Sequence, residues 1–317
     1  MRLVNGVLPN GVAARARTLA LLLVAGALLA GCRPDLGEPG SLVTEARFLA
    51  LRAEPPEALP GGMVQLRALV ASPTGSRAEP RPEWAFCTAP KPLDENNVVS
   101  GDCLDGAAAP LATEPTPTLR LPVDACQLFG PDPPPQRPGQ PPLRPRDPDV
   151  TGGYYQPIRV RLDRATAIAL ERVTCNLAGA PAELASAFTS RYRPNQNPRL
   201  LGVEATAAGR PLGLDAVPAG AAVELEASWD AVDAESYPVF DVAAQALVDR
   251  RESLRVSWFG TAGSFAHERT GRTEADPEST SANTWTAPAA PGAAWLWVVL
   301  RDSRGGVDFR ELFVVVR

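Results

Sequence analysis

The sequence predicts an all-β protein made of two β-sandwiches, and three observations carry that prediction. First, 34 Pro and 26 Gly are spread through 317 residues, too often for long helices to survive, while 45% hydrophobic residues leave enough material for real cores. Second, apolar residues alternate with polar ones at Val64/Leu66/Ala68 and again at Val223/Leu225/Ala227. A period of two turns one side of a strand inward. Third, the chain uses the same grammar twice. A strand at 48–52, a Pro60-Gly61-Gly62 turn, the strand 63–68 and Trp84-Ala85-Phe86 correspond to 201–205, Pro218-Ala219-Gly220, 223–227 and Trp258-Phe259. A tryptophan on the following strand is a common central plug of a sandwich core.

The N-terminus reads as an address. Arg2, Arg15 and Arg17 precede an apolar run at 19–29, which is shorter than the ~20 residues needed to span a bilayer and suits a signal-peptide core. The run ends in Leu29-Ala30-Gly31-Cys32, which resembles the lipobox of bacterial lipoproteins. The resemblance implies a signal peptide at 1–31, its removal, and acylation of Cys32. The partner so implied is a membrane, reached through the N-terminal lipid. Arg33 stands where the family's inner-membrane retention residue is Asp, which implies sorting to the outer membrane. Residues 32–43, with Gly37, Pro39 and Gly40, read as a lipidated flexible tether.

The first domain is expected at 44–194. Its four cysteines, Cys87, Cys103, Cys126 and Cys175, meet an oxidising compartment in an exported chain and are disulfide candidates. Three pairings are open. Cys87–Cys103 with Cys126–Cys175 is favoured, because the first closes a short Asn/Gly-rich loop and the second spans a proline-rich insertion at 131–148. Strands resume at 158–162 and 168–175. A short helix is expected after Pro181, with Leu184, Phe188 and Tyr192 on one face and Pro194 as its stop.

The second domain is expected at 195–317, after Asn195-Gln196-Asn197-Pro198. Near its end a strand opens at Gly292 and is followed by Arg301-Asp302-Ser303-Arg304-Gly305-Gly306-Val307-Asp308. Gly305 and Gly306 are expected to supply the positive φ angles of a tight hairpin. This pattern resembles the closing hairpin of bacterial Ig-like and PKD-like domains, in which glycine starts the penultimate strand and Asp ends it. Trp258-Phe259-Gly260-Thr261-Ala262-Gly263 stands in place of the Trp-Asp-Phe-Gly-Asp-Gly run of PKD domains. The resemblance implies immunoglobulin-like sandwiches that bind, space or adhere, and no activity follows from the fold itself.

Counting in twos from Gly292 places Ala294, Leu296, Val298 and Leu300 on the core face and Trp295, Trp297 and Val299 on the outer face. Each large apolar side chain left in water costs very roughly 1.5–3 kcal/mol, so something is expected to cover them. The cover is internal, from 230–251 or from the first domain, or else the three residues are a binding surface for a partner or a carbohydrate.

Catalytic motifs are not found. His267 is the only histidine, beside Glu268 and three residues after Ser264, and no nucleophile elbow surrounds that serine. Asp230, Asp233, Glu235 and Asp241, with Asp302 and Asp308 expected near the other end of the sandwich, match no calcium loop. No metal or cofactor is expected. A net charge of −5 gives no basic footprint for nucleic acid or an anionic membrane surface. The sequence is therefore read as a non-enzymatic, lipid-anchored protein of the cell envelope. Its expected role is structural or adhesion-type binding, with an envelope protein or polysaccharide as partner. An accessory subunit of an envelope machine is the alternative, ahead of an envelope hydrolase.

Overall fold

The structure is a computed structural model and describes residues 40–76, 81–89, 99–105, 110–128, 138–139, 150–162, 165–177 and 179–317. The expected signal peptide, Cys32 and most of the tether lie outside the described residues, as does the 131–148 insertion apart from 138–139. Gly40–Arg317 forms one compact unit. Among the described residues no helix is long and apolar enough to cross a membrane.

The first sandwich uses β1 (Arg47–Glu54), β2 (Glu57–Ala58), β3 (Met63–Ser72), β4 (Gly75–Ser76), β5 (Glu83–Phe86), β6 (Thr118–Arg120), β7 (Gly153–Leu162) and β8 (Ala165–Thr174). One sheet runs β1-β3-β4 with β6 also paired to β3, and the other runs β2-β8-β7-β5. Alternation in β3 sends Val64 and Leu66 into the core while Met63, Gln65 and Arg67 face out. Trp84 is fully buried between the sheets, and its Nε1 donates to the Glu114 carbonyl at 3.0 Å. Cys87 is bonded to Cys103 across 16 positions and Cys126 to Cys175 across 49.

The helix Ala182–Arg191 follows, with Pro181 as its N-cap. Phe188 and Tyr192 stack with ring centroids 4.8 Å apart, and Leu184 packs against the same small core.

The second sandwich comprises β9 (Leu200–Ala207), β10 (Arg210–Pro211), β11 (Ala222–Trp229), β12 (Ser236–Asp241), β13 (Ala246–Arg251), β14 (Leu254–Gly260), β15 (Ser264–Phe265), β16 (Arg269–Arg272), β17 (Thr280–Thr286), β18 (Gly292–Asp302) and β19 (Val307–Val316). Its sheets run β10-β9-β11-β17-β15 and β16-β14-β18-β19, with β12-β13 as a separate hairpin. Ala294, Leu296, Val298 and Leu300 face the core together with Trp258 and Trp285. β18 runs from Gly292 to Asp302, so glycine opens it and Asp closes it.

Two local expectations are corrected. In the β18–β19 turn, Gly305 alone takes a positive φ, +105°. Gly306 is needed for close approach instead, because a Cβ there would clash with Asp302 Oδ2. The 230–251 segment does not cover the outer tryptophans. Its β12–β13 hairpin brings Tyr237, Val239 and Phe240 onto Leu177, Phe188 and Tyr192, so this small core is built from both halves of the chain.

Candidate functional site at the junction of the sandwiches

The outer face of β18 is not an open binding surface. Trp297 and Val299 are fully buried, and Trp295 is half-buried. They pack with Val43, Leu49, Ala50, Leu69, Ala71 and Val307, so the β1–β3 sheet of the first sandwich covers the expected docking patch. The register explains how. β1 pairs Phe48 with Val70 and Ala50 with Leu69, leaving Leu49 as an extra residue in a bulge. A bulge lets two consecutive side chains share one side of a strand. Leu49 and Ala50 thus both meet the second sandwich, while Phe48 and Leu51 serve the first core.

Polar contacts lock this seam. Trp297 Nε1 donates to Ser76 Oγ and Glu311 Oε2, each at 2.8 Å, and the Ser76 amide donates to Glu311 at 2.6 Å. Arg301 Nη2 donates to the Leu49 carbonyl at 2.7 Å. A Cβ on Gly75 would stand 3.1 Å from the Trp295 ring, so glycine is what lets β4 lie against that indole.

Beside the apolar seam lies a buried ionic network that sequence reasoning missed. Arg304 follows β18, and its side chain is 2% exposed. Its Nε donates to Glu252 Oε1 at 2.6 Å, Nη2 to Glu235 Oε2 at 2.6 Å, and Nη1 to the Tyr192 hydroxyl at 3.2 Å and the Arg193 carbonyl at 3.0 Å. The Tyr192 hydroxyl donates to Glu57 of β2 at 2.8 Å. Glu57 also pairs with Arg172 of β8 at 3.2 Å and accepts the Asn195 amide at 2.8 Å. Asn195 Nδ2 reaches Asp302, whose Oδ1 also accepts the Arg304 and Gly306 amides at 2.8 Å each. One connected network therefore joins the first sandwich, the segment after the helix, and the second sandwich.

Two arginines face four carboxylates here, and burial disfavours ions that outnumber their partners. Glu252 is pushed up to about 8 by burial and by Asp302, against the pull of Arg304. Burial also raises Glu235 and Asp302. Tyr192 is pushed up to about 12 by burial, against the pull of Arg172. Burial opposes the charged form of Arg304, yet Glu252 and Tyr192 raise it overall. Most of the donors and acceptors are spent on one another, with Asn195 Oδ1 left without a hydrogen bond, so the arrangement fastens elements together rather than presenting groups to a substrate.

The other candidate residues fall elsewhere. His267 is exposed in the loop before β16, with its amide donating to Asn283. Asp302 and Asp308 do not lie at the opposite end from the acidic loop. Asp308 accepts the Leu200 amide and Asp233 the neighbouring Arg199 amide, while Arg304 links Glu235 to Asp302. Arginines answer these acids: Arg199 pairs with Asp230 and Asp233, and Arg52 with Asp308. Asp241 stands apart and accepts two amides of its own turn, from Ala243 and Ala244. Among the described residues no group of three His, Cys, Asp or Glu is placed to hold a metal. A signal for the network was present in Arg304-Gly305-Gly306, read from sequence only as a turn. An arginine beside a hairpin turn says nothing of its burial.

No family model matches the sequence, and no curated protein does. Solved structures to which the chain is similar include the D00-D0 domain of Intimin, at 9% identity, with 84% of this chain and 100% of that one covered and a TM-score of 0.25. Others are the Yersinia pseudotuberculosis adhesin InvE (11% identity, coverage 84% and 58%, TM-score 0.22) and domains 4 and 5 of the S-layer protein SbsC (10%, 86% and 98%, 0.19). The fold described above rests on strand pairing and cores, not on these overlaps.

Proposed function

We propose that the chain is a lipid-anchored cell-envelope protein, held in the outer membrane through Cys32. Its two immunoglobulin-like modules, divided as 44–194 and 195–317, act as one stiff structural or adhesion-type unit without catalytic activity. The partner class is an envelope protein or polysaccharide. The observation that supports this reading is the Arg304–Glu252–Tyr192–Glu57 network at the junction. Modules on a free linker present polar, wet surfaces to each other, and their relative motion is the default. A largely buried ionic network resists such motion, because a displaced partner leaves a buried charge unanswered.

Spin labels at exposed Val123 and Val232 of the full chain test the stiffness. One narrow distance distribution is expected. A broad distribution in the parent protein removes the stiff-unit reading. Metabolic fatty-acid labelling tests the anchor, with label expected in the parent and absent from Cys32→Ala. Equal labelling of the two sinks the anchoring.

A further inference from the structure

The face of β14–β18 that carries Trp297 continues into a different kind of surface. Arg255 pairs in register with Arg301, and Ser257 with both Val299 and Arg269. Three arginines therefore share the outer face with the apolar seam, just beyond the edge of the covering sheet. Arg47 of β1 joins them across a crevice of 380 Å³, whose other polar lining includes Ser41, Ser257 and Glu268.

No carboxylate among the described residues is ion-paired with these four arginines. Glu268, the one acid in the lining, accepts the Ser41 amide. Arg301 is pushed down to about 10 by burial and then by Arg269 and Arg255, the mark of positive charge gathered without an answering anion. Arg255 also lines an adjoining crevice of 630 Å³ with Arg250, Arg251, Arg272 and Glu274, of which Arg250 and Glu274 pair at 3.4 Å. A protein of net charge −5 thus concentrates arginines in one strip.

We propose that this strip binds the phosphates of anionic membrane headgroups. Arginine's planar fork matches phosphate oxygens, and four guanidinium groups around one crevice offer many donors to a single anion or to several neighbours. The headgroup is chosen over a free anion because of where the chain enters. Gly40 and Ser41 line the crevice, and Leu42–Val43 is clipped to Gly260, with the Val43 amide donating to its carbonyl at 2.9 Å. From Cys32 to Gly40 is eight residues, which span at most ~29 Å when fully extended. An acylated Cys32 therefore keeps the arginines close to the bilayer, so this occupant rests on the lipid-anchor reading above.

The test uses residues 33–317, which hold the whole compact unit 40–317 and lack both the apolar 19–29 run and Cys32, mixed with vesicles of phosphatidylglycerol and phosphatidylcholine or of phosphatidylcholine alone, and separately with inorganic phosphate. Preferential binding to the anionic vesicles, weakening with salt, is expected. Each arginine engaged contributes about fivefold, so Arg255→Gln with Arg269→Gln is expected to weaken it roughly 25-fold. Both residues are exposed, and unchanged thermal unfolding of the double variant shows that its fold persists. Equal binding to the two vesicle types overturns the proposal, as does equal binding by the double variant. If inorganic phosphate abolishes vesicle binding at concentrations that leave other charge contacts intact, the crevice takes the free anion and the headgroup assignment fails. Because Cys32 is absent throughout, a failure here speaks against the crevice, whereas missing fatty-acid label in the parent speaks against the anchor.

Discussion

Nε of Arg304 donates to Oε1 of Glu252 at 2.6 Å, with both side chains at or below 2% exposure. The pair is closed from the other side by Tyr192 and Glu57, which come from outside the second sandwich. This contact makes the junction a matter of charge as well as of packing.

Removing the arginine leaves Glu252 buried and Glu235 half-buried without their counter-ion, while Glu57 keeps Arg172. Arg304→Met is expected to destabilise by about 3–5 kcal/mol, the usual cost of breaking a buried pair. The exposed Arg199 pairs with Asp230, and Arg199→Ala is expected to cost at most about 1 kcal/mol. Urea unfolding of the two variants against the parent checks the contrast, and similar losses in both would refute the role given to burial.

The same burial sets a pH dependence. Glu252 titrates at about 8 when folded against 4.5 for an ordinary glutamate, so the folded state holds a proton that the unfolded state releases between these values. Its contribution to stability is fully present below 4.5 and lost as pH rises through about 8. The unfolding temperature is expected to fall across that window, and Glu252→Gln to flatten the fall. Glu171 of β8 is also raised, by burial and then by Glu57, so some slope remains in the variant. A parent whose stability rises across the window contradicts the assignment.

Trp297 has no exposed surface and bonds to Ser76 and Glu311. Trp297→Ala is expected to cost about 3–5 kcal/mol and to broaden the distance distribution between labels on the two sandwiches. Val242→Ala, at a residue 56% exposed, is expected to change neither quantity. If the tryptophan variant keeps a narrow distribution, the apolar seam is not what aligns the modules.

The two disulfides close loops of different length, 16 and 49 positions. Loop-closure entropy predicts that replacing Cys87 and Cys103 by serine costs about 3 kcal/mol and replacing Cys126 and Cys175 about 4 kcal/mol. Peptide mapping under non-reducing conditions checks the pairing, and chemical unfolding of each double variant checks the order.

The strand pattern was legible because period-two alternation is local. Val64 and Leu66, Val223 and Leu225, and Ala294 to Leu300 declare which side is inward without reference to any distant residue. The helix face of Leu184, Phe188 and Tyr192 was legible for the same reason, and so were Gly292 and Asp302 at the ends of β18. The outward direction of Trp297 could be counted, but its cover could not. That depends on Leu49 being an extra residue in β1 and on Gly75 letting a second sheet approach.

The all-β class, the inward faces of the strands and a second tryptophan-bearing side in need of shelter could all be read along the chain. These follow from the order of side chains along a pleated strand. Tertiary structure decided that the first sandwich provides the shelter, that Glu57, Tyr192, Glu252 and Arg304 form one buried network, and that Arg47, Arg255, Arg269 and Arg301 crowd a single crevice. Charge and cover act through space, and residues hundreds of positions apart become neighbours only once two sheets have chosen their faces.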